Sequence, residues 1–329
     1  MRNTTGLRTT RIAALAAAAL LALPAAGATA QDYPARAITM IVPFPAGGGN
    51  DMIARIVAAK LSTALGQQVV VDNRGGANGV IAMRTAARAA PDGYTIVFAN
   101  TSTTTINIAL NPNAGYDIRK EFAPIGMIAA AGIGIIAHPS FAANSVPELI
   151  ALAKAQPGKL SIGTSPPGSG SHLSAELFKA RTGINVTFVP YRGTAALNND
   201  LLGGHISVMF GVLPASLGAI KAGQLKVLGM TSTERIALLP DVPTVSETIP
   251  GFEAVLRYGL LAPAGTPAPI IARLNKELVA LAGSDEVKTR LASEAGVALT
   301  STPEEYAAEI AREDGIWGPL IKSLNLKVE

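Results

Sequence analysis

PFPAGGGND, residues Pro43 to Asp51, is the stretch whose reading decides the fold of this chain. The apolar run Ile38 to Phe44 leads into it with strand character, and Ile53, Ile56, Val57, Leu61 and Leu65 follow at helical spacing. The unit is therefore strand, glycine loop, helix. Gly47, Gly48 and Gly49 let a ligand approach the main chain closely, and Asp51 stands where an N-cap is expected. Unpaired amides at such a helix start suit an anion. A glycine triplet alone fits a tight strand-to-helix turn equally well, so the rest of the chain has to decide.

Working outward, strand 38–44, helix 52–65 ended by Gly66, strand 68–72, helix 79–90 ended by Pro91 and strand 94–99 alternate as parallel βαβ units do. A polar run, Asn100 to Thr105, follows, and then a long apolar run from Ala123 to Ala137 that is expected to be a crossing strand. Within it, Gly132-Ile133-Gly134-Ile135-Ile136-Ala137 spells a dinucleotide fingerprint, but no helix opens there, so no cofactor is expected. Ser145-Val146-Pro147-Glu148 is a capping box that opens a second alternation. Strand 160–164 leads into the loop Ser165 to Ser171, helix 172–182 ended by Gly183, and strand 186–189. The opening device has recurred. Helix 194–202, strand 206–210, helix 214–222 and strand 225–230 continue this half, and strand 253–262 is expected to cross back.

Three C-terminal helices follow: 267–281, 285–294 and a long one behind the capping box Thr302 to Glu305. The apolar face of the last, Tyr306, Ile310, Trp317, Leu320, Ile321 and Leu324, is expected to pack on the first half, which makes the single tryptophan a core residue. The fold class expected is α/β, with two lobes of the periplasmic-binding-protein type II kind. One lobe is discontinuous, 31–131 plus 253–329, and the other is 132–252. Two crossover strands join them, and both glycine/serine loops face a shared cleft.

Residues 1–30 read as a signal peptide: Arg2, Arg8 and Arg11, an uncharged run from Ile12 to Leu23, then Ala28-Thr29-Ala30 before the cut. The apolar run is too short to span a bilayer, and the arginines are not adjacent, which favours the general secretory route to the periplasm. Losing this segment removes three of the 27 basic residues and brings the formal charge from +4 to +1. Such a near-neutral chain with 5% aromatics lacks the basic, aromatic-interleaved surface of a nucleic-acid binder. The absence of cysteine excludes disulfides and thiolate chemistry. His138, His172 and His205 fall on three elements without metal-type spacing.

Taken together, PFPAGGGND with Ile53, Ala54 and Arg55, GQQVVVDNRGGANG at 66–79, PDGYT at 91–95, SGSHLSAELFK at 169–179, VPYRGTAALNNDLLGG at 189–204, LPDVPT at 239–244 and GLLAPAGTP at 259–267 resemble the tripartite tricarboxylate transporter receptors, the Bug-type solute-binding proteins. The resemblance spans essentially all of the chain after residue 30. It implies a monomeric periplasmic receptor, not an enzyme, that pinches a small-molecule carboxylate between two loops and delivers it to a membrane permease. A receptor that presents its ligand to a sensor kinase is the alternative partner.

Under that resemblance the first loop contributes Phe44, Ala46, Gly47, Gly48, Gly49, Asn50 and Asp51. Asn100, Thr101 and Ser102, which follow the third strand, either reach the far end of the ligand or form an ordinary polar loop. The second loop contributes Ser165, Gly168, Ser169, Gly170 and Ser171. It departs from the family's pattern at Pro166 and Pro167, which have no N–H, so its donors must come from Gly168 onward. His172 either supports the loop or packs at the helix start. Tyr191, Arg192 and Thr194 edge the cleft, with Arg192 either pairing a second anion or solvated. Phe210 and Gly211 follow, with Gly211 where relatives often carry an acid, which disfavours an amino-acid ligand. An exported serine hydrolase built on Ser169 or Ser171 with His172 is the enzymatic alternative and lacks an evident orienting acid.

Overall fold

Strand β1 (Ile38–Val42) is buried on both faces and sits between two parallel neighbours, as an uninterrupted apolar run requires. Its neighbours are β2 (Val69–Asn73) and β3 (Thr95–Asn100), with Thr39 opposite both Val70 and Thr95. These elements come from a computed structural model that describes residues 33–47, 49–192, 194–293 and 295–324. The expected signal peptide, its cut after Ala30, and Gly48 lie outside the described residues. Arg36–Glu329 is one compact unit.

Helix α1 (Gly49–Leu65) starts three residues before the expected position, and Gly66, at φ 69°, ends it. Asp51 is therefore not the N-cap. It lies inside the first turn and reaches back to the Gly47 amide, doing a cap's work from the other side of the turn. Helix α2 (Val80–Ala87) is shorter than expected at both ends: a 3₁₀ turn (Ala77–Gly79) takes Gly79, and the helix stops at Ala87 instead of residue 90. The polar run after β3 is not a loop. Asn100 Oδ1 accepts the amides of Ser102 and Thr103, and the chain winds directly into a π turn (Ser102–Ile106) and α3 (Asn107–Leu110).

A short α4 (Ile118–Glu121) leads into β4 (Phe122–Ala137). The second half comprises α5 (Val146–Ala155), β5 (Ser161–Thr164), α6 (Gly170–Thr182), β6 (Thr187–Pro190), α7 (Thr194–Leu202), β7 (Val208–Val212), α8 (Leu217–Lys221) and β8 (Lys226–Met230). Strand β9 (Val255–Pro263) then returns, followed by α9 (Ala268–Gly283), α10 (Asp285–Ser293), the short β10 (Gly296–Ala298) and α11 (Pro303–Leu324). Strand order is β2-β1-β3-β9-β4-β7-β5-β6, with β8 and β10 also on β4.

Pairing is continuous along that path only because β4 belongs to both halves. Phe122 to Gly132 pair with β9, and Ile133 to Ala137 pair with β7, so the partners change completely between Gly132 and Ile133. Thr231, just past β8, ties the two crossings together. Its amide donates to Ile133 O, and its hydroxyl accepts from Ile133 N and donates to Ala254 O. Its carbonyl accepts from Ala254 N at 3.1 Å.

Two apolar clusters are distinct. One gathers Ile41, Val97, Leu261, Tyr306 and Ile310, and the other Ile136, Leu197, Met209 and Leu213. Helix α11 is opened by the expected capping box, Glu305 N to Thr302 Oγ1 at 3.1 Å and Thr302 N to Glu305 Oε2 at 2.8 Å. It buries Tyr306, Ile310, Trp317 and Ile321, while Leu320 and Leu324 are only half-buried. A carboxylate, Glu313, lies in the same buried stripe.

Candidate functional site

The two glycine/serine loops leave the C-terminal ends of β1 and β5 and each opens a helix, α1 and α6. In the first loop Pro45, Ala46 and Gly47 are exposed, and Gly47 has φ 81°, a conformation glycine adopts without strain. The amides of Ala46, Gly49 and Asn50 have no acceptor among the described residues, as a helix start leaves them. The Gly47 amide is different, donating to Asp51 Oδ2 at 2.8 Å. Asp51 is 2% exposed and also accepts from Arg55 Nε at 2.9 Å and Asn73 Nδ2 at 2.9 Å. Burial pushes its carboxyl up, but the bonds from Arg55, Gly47 and Asn73 together hold it below the usual carboxylate range. Asp51 thus shapes the loop from beneath. Phe44 is half-buried, and its carbonyl takes the second proton of the Asn73 amide.

Asn100 links the end of β3 to this loop through Nδ2 to Asn50 Oδ1 at 3.2 Å. Thr101 turns away from the loop. Its hydroxyl donates to Glu313 Oε1 at 2.8 Å and accepts from the Arg257 amide at 2.9 Å, so it joins β3 to α11 and β9. Burial lifts the Glu313 carboxyl to about 7, against the bond from Thr101 and the charge of Arg257. The guanidinium of Arg257 reaches Glu253, Glu309 and Glu313. Ser102 is buried in the π turn.

The second loop is held largely by its own bonds. Gly168 N donates to His172 Nδ1 at 3.2 Å, Ser169 N to Pro166 O at 3.0 Å, and His172 N to Ser169 Oγ at 3.2 Å. The Ser171 hydroxyl accepts from Ser165 N and donates to Phe210 O. Of the four expected donors, Gly168 and Ser169 are therefore spoken for, and the amides of Gly170 and Ser171 are left without an acceptor among the described residues. Neither serine hydroxyl is bonded to the imidazole, the pairing a serine hydrolase needs.

Each helix start packs against a segment from a distant part of the chain. A Cβ on Gly49 would lie 3.7 Å from Pro214 Cγ, which follows β7, and one on Gly170 would lie 2.5 Å from Leu256 Cδ2 on β9. Leu256 adjoins Arg257, whose amide is bonded to Thr101. The other expected residues are spread more widely. Tyr191 is half-buried, with its hydroxyl 2.7 Å from Asp200 Oδ2 and, through burial and that partner, pushed up to about 12. Arg192 is exposed, and Thr194 begins α7 half-buried. The Phe210 ring is fully buried against Phe178, so only its main chain faces the loop, through Ser171. Gly211 pairs with Gly134 inside the sheet.

Residues 53–326 match the family described as the tripartite tricarboxylate transporter family receptor. This chain belongs to that receptor family. Protein BugT of Bordetella pertussis is 35% identical over 307 residues, which cover 93% of this chain and 94% of BugT. The structure of R. palustris Rpa4515 with adipate is 34% identical with a TM-score of 0.82, covering 90% of this chain and 99% of that one. The periplasmic binding protein BugD is 34% identical with a TM-score of 0.79, covering 90% and 100%. The fold of this receptor is thus that of the periplasmic binding proteins. No helix among its described residues is long and apolar enough to cross a membrane.

Glu313, Arg257 and Thr231 were not legible as site supports. Only Glu313 carried a sequence signal, standing seven residues after Tyr306 and four before Trp317 in an otherwise apolar stripe.

Proposed function

We propose that this receptor captures a small organic acid between its two helix starts and hands it to a membrane permease of the tripartite tricarboxylate type. The observation that carries the reading is the set of five amides with no acceptor among the described residues, Ala46, Gly49 and Asn50 at one helix N-terminus and Gly170 and Ser171 at another. Each helix start carries roughly +0.5 of an elementary charge, so two of them clamp a carboxylate without an arginine. Charge-assisted bonds contribute ~1.5–3 kcal/mol each, and four of them reach micromolar affinity, near −8 kcal/mol, after ordering costs. The relative solved with adipate supports the ligand class.

The same reading makes 31–131 plus 253–329 one lobe and 132–252 the other, with β4 and β9 as the hinge between them. Residues 1–30 act as an export signal, and the receptor works as a monomer in the periplasm. Closure follows because the open form offers the anion one helix start and the closed form two.

The test is a thermal-shift screen of small mono- and dicarboxylates, with hits titrated by calorimetry and measured by small-angle scattering, since a tight ligand raises the melting temperature by mass action. Binding of at least one acid with a smaller radius of gyration at saturation is expected. No stabilisation by any carboxylate would sink the reading, and superposable scattering profiles would sink the closure.

A further inference from the structure

We propose that His172 and Glu176 are positioning residues for the second ligand loop, the imidazole acting as a neutral acceptor whose free nitrogen holds the Gly168 amide. The proposal rests on the reading of that loop as a carboxylate site.

Pro166 and Pro167 contribute no N–H, so the turn cannot be tied by the amides of those two residues. Gly168 sits at φ 79°, and its amide has one acceptor, His172 Nδ1, four residues on. A ring nitrogen that accepts carries no proton, so the neutral ring keeps its proton on Nε2. Nε2 lies 3.7 Å from Glu176 Oε1, beyond hydrogen-bond distance but near enough that an acceptor there favours the proton on Nε2. Both side chains are enclosed, His172 at 6% and Glu176 at 9% exposure. Phe188 covers the ring edge-on, at 5.8 Å and 83°, and carries no charge. Among the described residues, the charged groups shown to act on the pair are Glu176 itself and Lys179, one turn further along α6 and over the Phe188 ring. Burial pushes the imidazole below its ordinary value and Glu176 above its own, so the accepting form of the ring prevails at neutral pH.

The consequence is directional. Protonation of Nδ1 would set one N–H against another, break the Gly168 contact, and displace the Gly170 and Ser171 amides that follow it. An imidazolium acting only through its charge would instead strengthen the hold on an anion. Affinity should therefore fall as pH drops through the depressed His172 value.

Two measurements decide it. In the free protein, long-range ¹H–¹⁵N correlation of the imidazoles should show His172 protonated on Nε2 at pH 7.5. A proton on Nδ1 overturns the proposal, with no ligand involved. Calorimetry with adipate then compares wild type, His172→Leu and His172→Asn from pH 7.5 to 5.5. The leucine variant should lose about tenfold or more in affinity, the equivalent of one hydrogen bond. The asparagine variant, with Oδ1 close to where Nδ1 stood, should stay within about threefold and lose the additional acid sensitivity of wild type. Asparagine as weak as leucine, or parallel pH profiles for wild type and asparagine, would overturn it. Failure of wild type to bind adipate counts against adipate as a ligand, not against the positioning role, which the tautomer measurement then decides.

Discussion

Replacing Glu313 by glutamine is expected to stabilise the protein above neutral pH and to leave it unchanged in mild acid. The carboxyl is 3% exposed, accepts a 2.8 Å bond from Thr101, and meets Arg257 Nη1 only at 3.4 Å. Burial dominates and lifts it from an ordinary 4.5 to about 7. A carboxyl that holds its proton more tightly folded than unfolded favours the folded state below the unfolded value. That advantage disappears as pH rises through about 7. The interval is equivalent to ~3 kcal/mol. Glutamine keeps an acceptor for Thr101 and has no charge to desolvate, while Arg257 retains Glu253 and Glu309. In urea titrations at fixed m, the variant should match wild type near pH 4 and exceed it by about 2–3 kcal/mol at pH 8. A difference that does not change with pH, or a variant weaker at pH 8, would mean that Glu313 is an ionised partner of Arg257 and that the reasoning from burial is wrong.

Asp51→Asn places an NH₂ against donors in either orientation, since Oδ2 faces Gly47 N and Arg55 Nε and Oδ1 faces Asn73 Nδ2. A loss of about 2–4 kcal/mol is expected above pH 4, shrinking as acid titrates the wild-type carboxylate through its depressed value; an unchanged urea midpoint at pH 7 would contradict it. Thr231→Val removes the hydroxyl shared by Ile133 N and Ala254 O at nearly constant volume. It should cost about 1–3 kcal/mol and speed hydrogen exchange at the Ile133 amide, and protection equal to wild type there would show that Thr231 does not tie the crossings.

The alternation of strands and helices was legible because periodicity and glycine stops are local signals. Gly66 and Gly183 end their helices in the left-handed conformation where the sequence places them. The start of α1 lies three residues before the position its sequence suggests, because Asp51 has the chemistry of a cap and only the folded loop reveals that it reaches backward. Strand β10 escaped notice for a similar reason: three residues carry no period, and Gly296 to Ala298 form a strand only because β4 offers an edge. Within the site, the loops were visible as glycine and serine clusters. Which amides stay free was not, since that depends on Asp51 and His172 taking two of them, and side chains that consume donors leave no mark in a one-dimensional pattern. Phe210 shows the same limit, with an aromatic at a strand end turned into the core beside Phe178.

The pairing of β3 with β9 also constrains the order in which the chain can fold. Val97 meets Leu261 about half the chain length downstream, and α11, the last helix, closes the cluster that Ile41 begins. The first sheet synthesised is thus the last to be completed, with its loop-closure entropy still to be met when nearly all residues have emerged. Under the proposed export route, with the chain crossing unfolded, this arrangement would keep the decisive long-range contacts from forming before the crossing is done.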